Sequence, residues 1–115
     1  MCEVVKSMND EEMAVIAAYY AEKPFVAAGQ AFDATKAANG KIVHDTHCEK
    51  CHKDGGSNPD KDAGILAGQW RGYLQQSFAD YASGDRAQSK TMKRKMDKLA
   101  EGDAELLIQY YASQQ

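Results

Sequence analysis

The sequence predicts an all-α chain, on three observations. Apolar residues recur at helical spacing beside recognisable caps and stops, and alternating β-branched runs are almost absent. Turn formers gather in one segment, residues 53 to 64, "KDGGSNPDKDAG". The 115 residues are 43% hydrophobic and 27% charged with a net charge of −3, which suits one small domain with an appendage. That mild charge gives no footprint for nucleic acid. No apolar run reaches the length of a membrane span, and "MCEVVKSMNDEE" lacks the basic-then-apolar order of an export signal. The chain is therefore expected to be cytoplasmic, or a mature form or fragment whose signal lies elsewhere.

A first helix is expected after Asn9, with Glu12 three residues on completing a capping box. Met13, Ile16, Ala17 and Tyr20 form its apolar face, and Pro24 bars its continuation. A second starts near Asp33 and runs into Cys48. A third covers Ala67 to Ser83, with Trp70, Tyr73, Leu74, Phe78 and Tyr81 as its apolar stripe and Gly84 as its stop. The last spans Asp103 to Ser113 and buries Leu106, Leu107, Tyr110 and Tyr111.

The chain also echoes itself. Residues 1 to 21 align without gaps on residues 92 to 112, a shift of 91 positions from Met1 to Met92. Tyr19-Tyr20-Ala21 meet Tyr110-Tyr111-Ala112, while Val5, Met8 and Ile16 fall on Met96, Leu99 and Leu107. The N-terminal stretch reads as the tail of a preceding copy. Residues 1–32 are then a helix and linker left from that copy, and residues 33–115 are a whole domain. The domain carries twelve acidic and twelve basic side chains, so the excess acid lies in residues 1–32, with five acids against two bases.

Cys48-Glu49-Lys50-Cys51-His52 carries the chemistry. Structural zinc wants four Cys or His ligands, usually in two paired clusters, and only one Cys pair is present beside His44 and His47. A thioredoxin-like disulfide wants strands that the pattern does not offer. Covalent haem fits the spacing: the two thiols reach the porphyrin vinyl groups, and the histidine that follows faces the iron through Nε2, its Nδ1–H held by a backbone carbonyl. A Met or His further along would complete the iron. "KTMKRKMDKL" offers Met92 and Met96 for that position. Cys2 is left over, either a small residue near the chain end or an intermolecular pair in an oxidising compartment.

Three blocks, "GKIVHDTHCEKCH", "AGILAGQWRGYLQQSFADYASGDR" and "KTMKRKMDKL…ELLIQYYAS", together resemble the class I cytochromes c. They stand closest to the small two-haem kind that includes the cytochrome subunit of flavocytochrome c sulfide dehydrogenase. The resemblance implies the class I fold around one covalent haem c per chain, with an extra N-terminal helix. It makes Cys48 and Cys51 the thioether sites, His52 the proximal ligand and Met92, seven residues before Leu99, the distal one, leaving Met96 to pack. Gln69, Trp70, Tyr73 and Arg86 match the family's haem-pocket block, with Arg86 and Trp70 as donors to the propionates.

Gly40 and His44 fall where the family's first helix crosses its last, so His44 should pack on Tyr110 or Tyr111; His47 should face solvent. Gly64 stands where relatives carry a Pro beside the carbonyl that holds the proximal His. Ala100 stands where they carry a Ser cap for the last helix. An iron ligated on both sides has no open position, which implies an electron carrier rather than an enzyme. The resemblance also implies a periplasmic location and protein partners as donor and acceptor, a flavoprotein among the candidates. Lys90, Lys93, Arg94, Lys95 and Lys98 would face an acidic partner. A second copy of the chain is one candidate to cover the N-terminal helix, and in a swapped form Met1 would ligate the neighbour's iron. The alternatives are a haem sensor or catalyst with an open sixth position, and a zinc-binding interaction module.

Overall fold

The computed structural model describes residues 2–59 and 63–115; Met1 and the Cys2 thiol, which carried expectations above, lie outside the described residues. Among the described residues seven helices follow in order: α1 Cys2–Val5, α2 Asp10–Ala21, α3 Ala34–His47, α4 Lys53–Gly56, α5 Arg71–Ser83, α6 Lys90–Met96 and α7 Asp103–Ala112. No strand occurs among the described residues, as an all-α chain requires.

Local chemistry sets the ends. Asn9 Oδ1 accepts the Glu12 N–H at 2.9 Å and Glu12 Oε2 accepts the Asn9 N–H at 2.9 Å, closing the capping box of α2. Asp33 Oδ1 takes the Lys36 N–H at 3.0 Å at the start of α3. Ser89 Oγ takes the Met92 N–H at 3.1 Å at the start of α6. Gly84 ends α5 in the left-handed region at φ 87°. The N-cap of α7 is Gly102, with no side-chain cap. Asp103 Oδ2 instead accepts the Ala100 N–H at 2.8 Å, so the entry to α7 is held from one residue inside the helix.

The core forms where α3 crosses α7. A Cβ on Gly40 would lie 2.0 Å from the Leu106 carbonyl oxygen and 2.8 Å from Tyr110 Cβ, so only glycine permits this approach. Leu74 of α5 joins Leu107, Ile108, Tyr110 and Tyr111 in the buried cluster, with Val43, Cys48, Leu66, Phe78 and Leu99 at its margin. Residues 27–33 lie along one end of this assembly as a strap. Ala28 N–H donates to Gly68 O at 2.7 Å, and Gln30 Nε2 donates to Gln69 O at 2.7 Å. Arg71 Nη1 reaches Ala31 O at 2.7 Å, and Gln109 Oε1 accepts the Asp33 N–H at 2.8 Å.

Three expectations change. The third helix begins at Arg71 and not Ala67, because Leu66–Gln69 form a turn around Gly68 at φ 70°, where a Cβ would meet Ala27 Cβ at 2.5 Å. Its apolar stripe is only partly buried. Leu74 is enclosed, but Trp70 is 64% and Tyr73 49% exposed, since they stand on the first turn, away from the cluster built on α7. Finally, α2 buries none of its residues. Past its acidic first turn it contains only Met, Ala, Val, Ile and Tyr, so it is apolar all round rather than on one face. The total surface of 8024 Å² reflects this, against about 6,200 Å² for a compact monomer of this mass.

Candidate functional site

The Cys-x-x-Cys-His segment is wound on its own backbone at the end of α3. The Cys48 and Glu49 N–H groups donate to His44 O at 2.8 and 3.0 Å; those of Cys51 and His52 donate to Cys48 O at 3.0 and 2.9 Å. Asp54, Gly55 and Gly56 then run through left-handed φ of 55°, 68° and 84°, which turns the chain back beneath the α7 tyrosines. A Cβ on Gly56 would meet Tyr111 Cε1 and Leu66 Cβ at 3.1 Å. The carbonyl of Gly56 accepts the Leu66 and Ala67 N–H groups at 2.8 and 3.1 Å, fastening the segment after the loop to the turn before it.

Both thiols are free. Cys48 is half-buried against the core, and burial pushes its thiol pKa up, partly offset by the Tyr111 hydroxyl and by the charge of Lys95. Cys51 is exposed. The His52 ring is half-buried, and desolvation lowers its pKa, favouring the neutral imidazole that a metal requires. Its Nδ1 is enclosed without a partner at hydrogen-bond geometry. The Gly64 backbone acts in the opposite sense and favours the protonated ring.

His44 is fully enclosed, with ring centroids 5.2 Å from Tyr110 and 5.5 Å from Tyr111. Its Nδ1 shares a hydrogen bond with the Tyr111 hydroxyl at 2.9 Å, and its Nε2 meets Glu49 Oε2 at 2.5 Å. Glu49 also accepts the Asp54 N–H at 3.1 Å. It thus ties the two-residue spacer of the motif to the core and to the turn that follows. Sequence reasoning missed this residue, because a pair five apart across a helix end follows no helical spacing rule. His47 is half-buried rather than fully solvent-facing.

The hydrogen bond from His44, with help from the Asp54 and Gly55 N–H groups, lowers the Glu49 pKa. A carboxyl depressed on folding stabilises above its unfolded value, and the contribution disappears as pH falls through the folded value. Melting temperature is therefore expected to drop on acidification through and below the usual carboxylate range. Glu49→Gln should flatten that dependence. The carboxylate is 40% exposed, so the change is modest. An unchanged acid limb of Tm against pH in the variant would contradict it.

The remaining residues lie in three places. Arg86 Nη1 donates to Ser77 Oγ at 2.9 Å and Tyr73 Oη at 3.3 Å, and its guanidinium lies 4.9 Å from the Tyr81 ring centroid. This brings Tyr73 and Arg86 together, and the arginine lowers the phenol pKa. Gln69 is spent on the turn, its Nε2 donating to Ile65 O at 3.1 Å. Met92 and Met96, both half-buried, sit on α6, whose Lys95 lies near enough to act on Cys48.

No family model and no curated protein matches the chain. Among the described residues, three donor atoms within 4.8 Å of one another occur only at His44, Asp45 and Glu49. That group is internally satisfied, His44 by Glu49 and Tyr111, and Asp45 by Lys41 at 2.6 Å. Cys48, Cys51 and His52 do not converge on one point, which does not suit a single zinc ion ligated by all three.

Proposed function

We propose that the chain is a one-electron carrier with a single covalent haem c, bound through Cys48 and Cys51 and ligated by His52 and Met92. The observation that carries this is His52: a half-buried imidazole whose neutral form is favoured by desolvation, its Nδ1 enclosed without a partner, directly after two free thiols. When bound, haem iron supplies reversible one-electron chemistry, and ligation from both sides leaves no position for substrate.

The protein's part is positioning. Cys48 is fixed by its place against Tyr111 and the core, Cys51 by its N–H on the Cys48 carbonyl. Met92 is placed by the Ser89 cap at the first turn of α6. Arg86 has donors left after Ser77 and Tyr73 for a propionate, which would otherwise be a charge without a partner. Trp70, largely exposed, offers its indole N–H for the same purpose.

Partner choice would follow from charge. On α6 Lys93 is paired with Asp97 at 2.7 Å, while Lys90, Arg94, Lys95 and Lys98 have no carboxylate partner among the described residues. Together they suit an acidic redox partner, a flavoprotein included, in the periplasm. No helix among the described residues is long and apolar enough to cross a membrane.

Visible absorption and intact mass of the purified protein test the reading. A haem c spectrum and a mass above that of the polypeptide by one haem are expected. Met92→Ala is expected to abolish the weak long-wavelength band of a thioether–iron bond and to admit carbon monoxide rapidly, while Met96→Ala keeps the band. The reverse pattern would move the ligand to Met96, and a band in neither protein would remove methionine from the iron.

A further inference from the structure

We propose that the Tyr111 hydroxyl is a switched hydrogen-bond donor to the Cys48 sulfur, turned toward it or away by one proton on the His44–Glu49 pair. These groups form a continuous chain from solvent to the sulfur. The Glu49 side chain is 40% exposed and meets His44 Nε2 at 2.5 Å. His44 is fully buried and meets the Tyr111 hydroxyl through Nδ1 at 2.9 Å. Cys48 packs against the buried cluster that contains Tyr111, its sulfur within hydrogen-bonding reach of that hydroxyl. Burial pushes the Tyr111 phenol pKa far up, so the oxygen keeps its proton and changes only where it points.

Counting protons fixes the direction. With one proton on the pair, it lies between Nε2 and Glu49, because a bare nitrogen so close to a carboxylate would be repelled. Nδ1 is then an acceptor; it takes the Tyr111 O–H, and the sulfur receives nothing. A second proton enters from water through Glu49. If the imidazole keeps it, both ring nitrogens carry hydrogen. If the carboxyl keeps it, that group donates to Nε2 and the ring proton sits on Nδ1. Either way Nδ1–H donates to the Tyr111 oxygen, and the hydroxyl proton is left to the sulfur. The other groups facing the ring are Lys41 and Asp45 on its own helix, joined at 2.6 Å, and Tyr110 from α7. His52 acts on it from beyond the motif, and Lys95 of α6 acts on Cys48. The consequence for electron transfer rests on the haem reading above; the switch itself does not. A donor at the thioether draws density from the sulfur, and the added proton acts in the same sense. Both favour reduced iron, so the reduction potential rises as pH falls through the midpoint.

NMR of the purified protein, reduced where it carries haem, follows the His44 ring nitrogens and the Cys48 Cβ carbon against pH. Nδ1 is expected to pass from acceptor to N–H at one midpoint, and the Cys48 Cβ shift to step at that same midpoint. Glu49→Gln, a change at the exposed end, should lower both midpoints together by about one pH unit or more, since the carboxylate no longer favours the second proton. In Tyr111→Phe the nitrogen titration should persist while the Cys48 step vanishes; if that variant does not fold, Glu49→Gln decides. No Cβ step in the parent across its folded pH range overturns the proposal. So does a step that stays at the parent midpoint in Glu49→Gln, or one that survives Tyr111→Phe at full size. A colourless protein would remove the haem reading and leave these outcomes in force, because a Cys48 thiol accepts the same hydrogen bond. In a protein with a haem c spectrum, the potential should step at the NMR midpoint, and by less in Tyr111→Phe. A potential step of equal size there would make the charge of the pair its whole cause and overturn the switch.

Discussion

Serine at both Cys48 and Cys51 is expected to give a colourless protein whose mass is that of the polypeptide alone. A hydroxyl forms no thioether, and His52 and Met92 would have to hold haem by reversible bonds to the iron alone. Loss should be complete after denaturing extraction, which removes haem that is not covalently bound. Each single serine variant retains one anchor and should keep part of the colour. The two thiols are not equivalent: Cys48 is seated in the core margin and Cys51 is exposed. Cys48→Ser is therefore expected to disturb folding more than Cys51→Ser. Haem surviving extraction in the double variant would end the assignment of these residues as anchors.

Gly40→Leu should remove most of the stability of the domain. The first added atom alone would fall 2.0 Å from the Leu106 oxygen, and a main-chain atom in mid-helix cannot rotate aside. Overpacking of side chains commonly costs about 1–3 kcal/mol. A clash with backbone at the main helix crossing should exceed about 3 kcal/mol, a large share of the roughly 5–15 kcal/mol of a small domain. Gly72 provides the contrast. It lies in α5, and nothing stands within 4 Å of its Cβ position. Gly72→Ala should be neutral or stabilise by up to about 1 kcal/mol through helix propensity alone. Denaturant midpoints followed by far-UV circular dichroism decide both, and equal effects at the two glycines would show that the crossing is not tight.

Much of the scaffold was legible because it is written locally. The Asn9–Glu12 box, Asp33 at the start of α3, Gly84 after α5 and the apolar stretch of α7 each act within one or two turns. The crossing at Gly40 and the tyrosine contacts of His44 came from the family likeness rather than from periodicity, since both depend on a residue more than sixty positions away. Helix α6 and the turn at Leu66–Gln69 went unread. The first is short and basic, with apolar residues only at Met92 and Met96; the second is fixed by contacts with Ala27, Gln114 and Tyr111 that no local rule contains. The exposure of Trp70 and Tyr73 has a similar origin, because a spacing pattern shows which residues share a side of a helix but not how far its neighbour extends.

The strap at residues 27–33 is stitched to the turn, α5 and α7, whereas Glu22 to Val26 are all exposed. Those five residues form a leash whose full reach is about 17 Å. That reach holds the Ala21 end of α2 close to the strap, while the twelve residues of the helix extend about 18 Å further. Lengthening the leash would loosen the mooring without touching either surface.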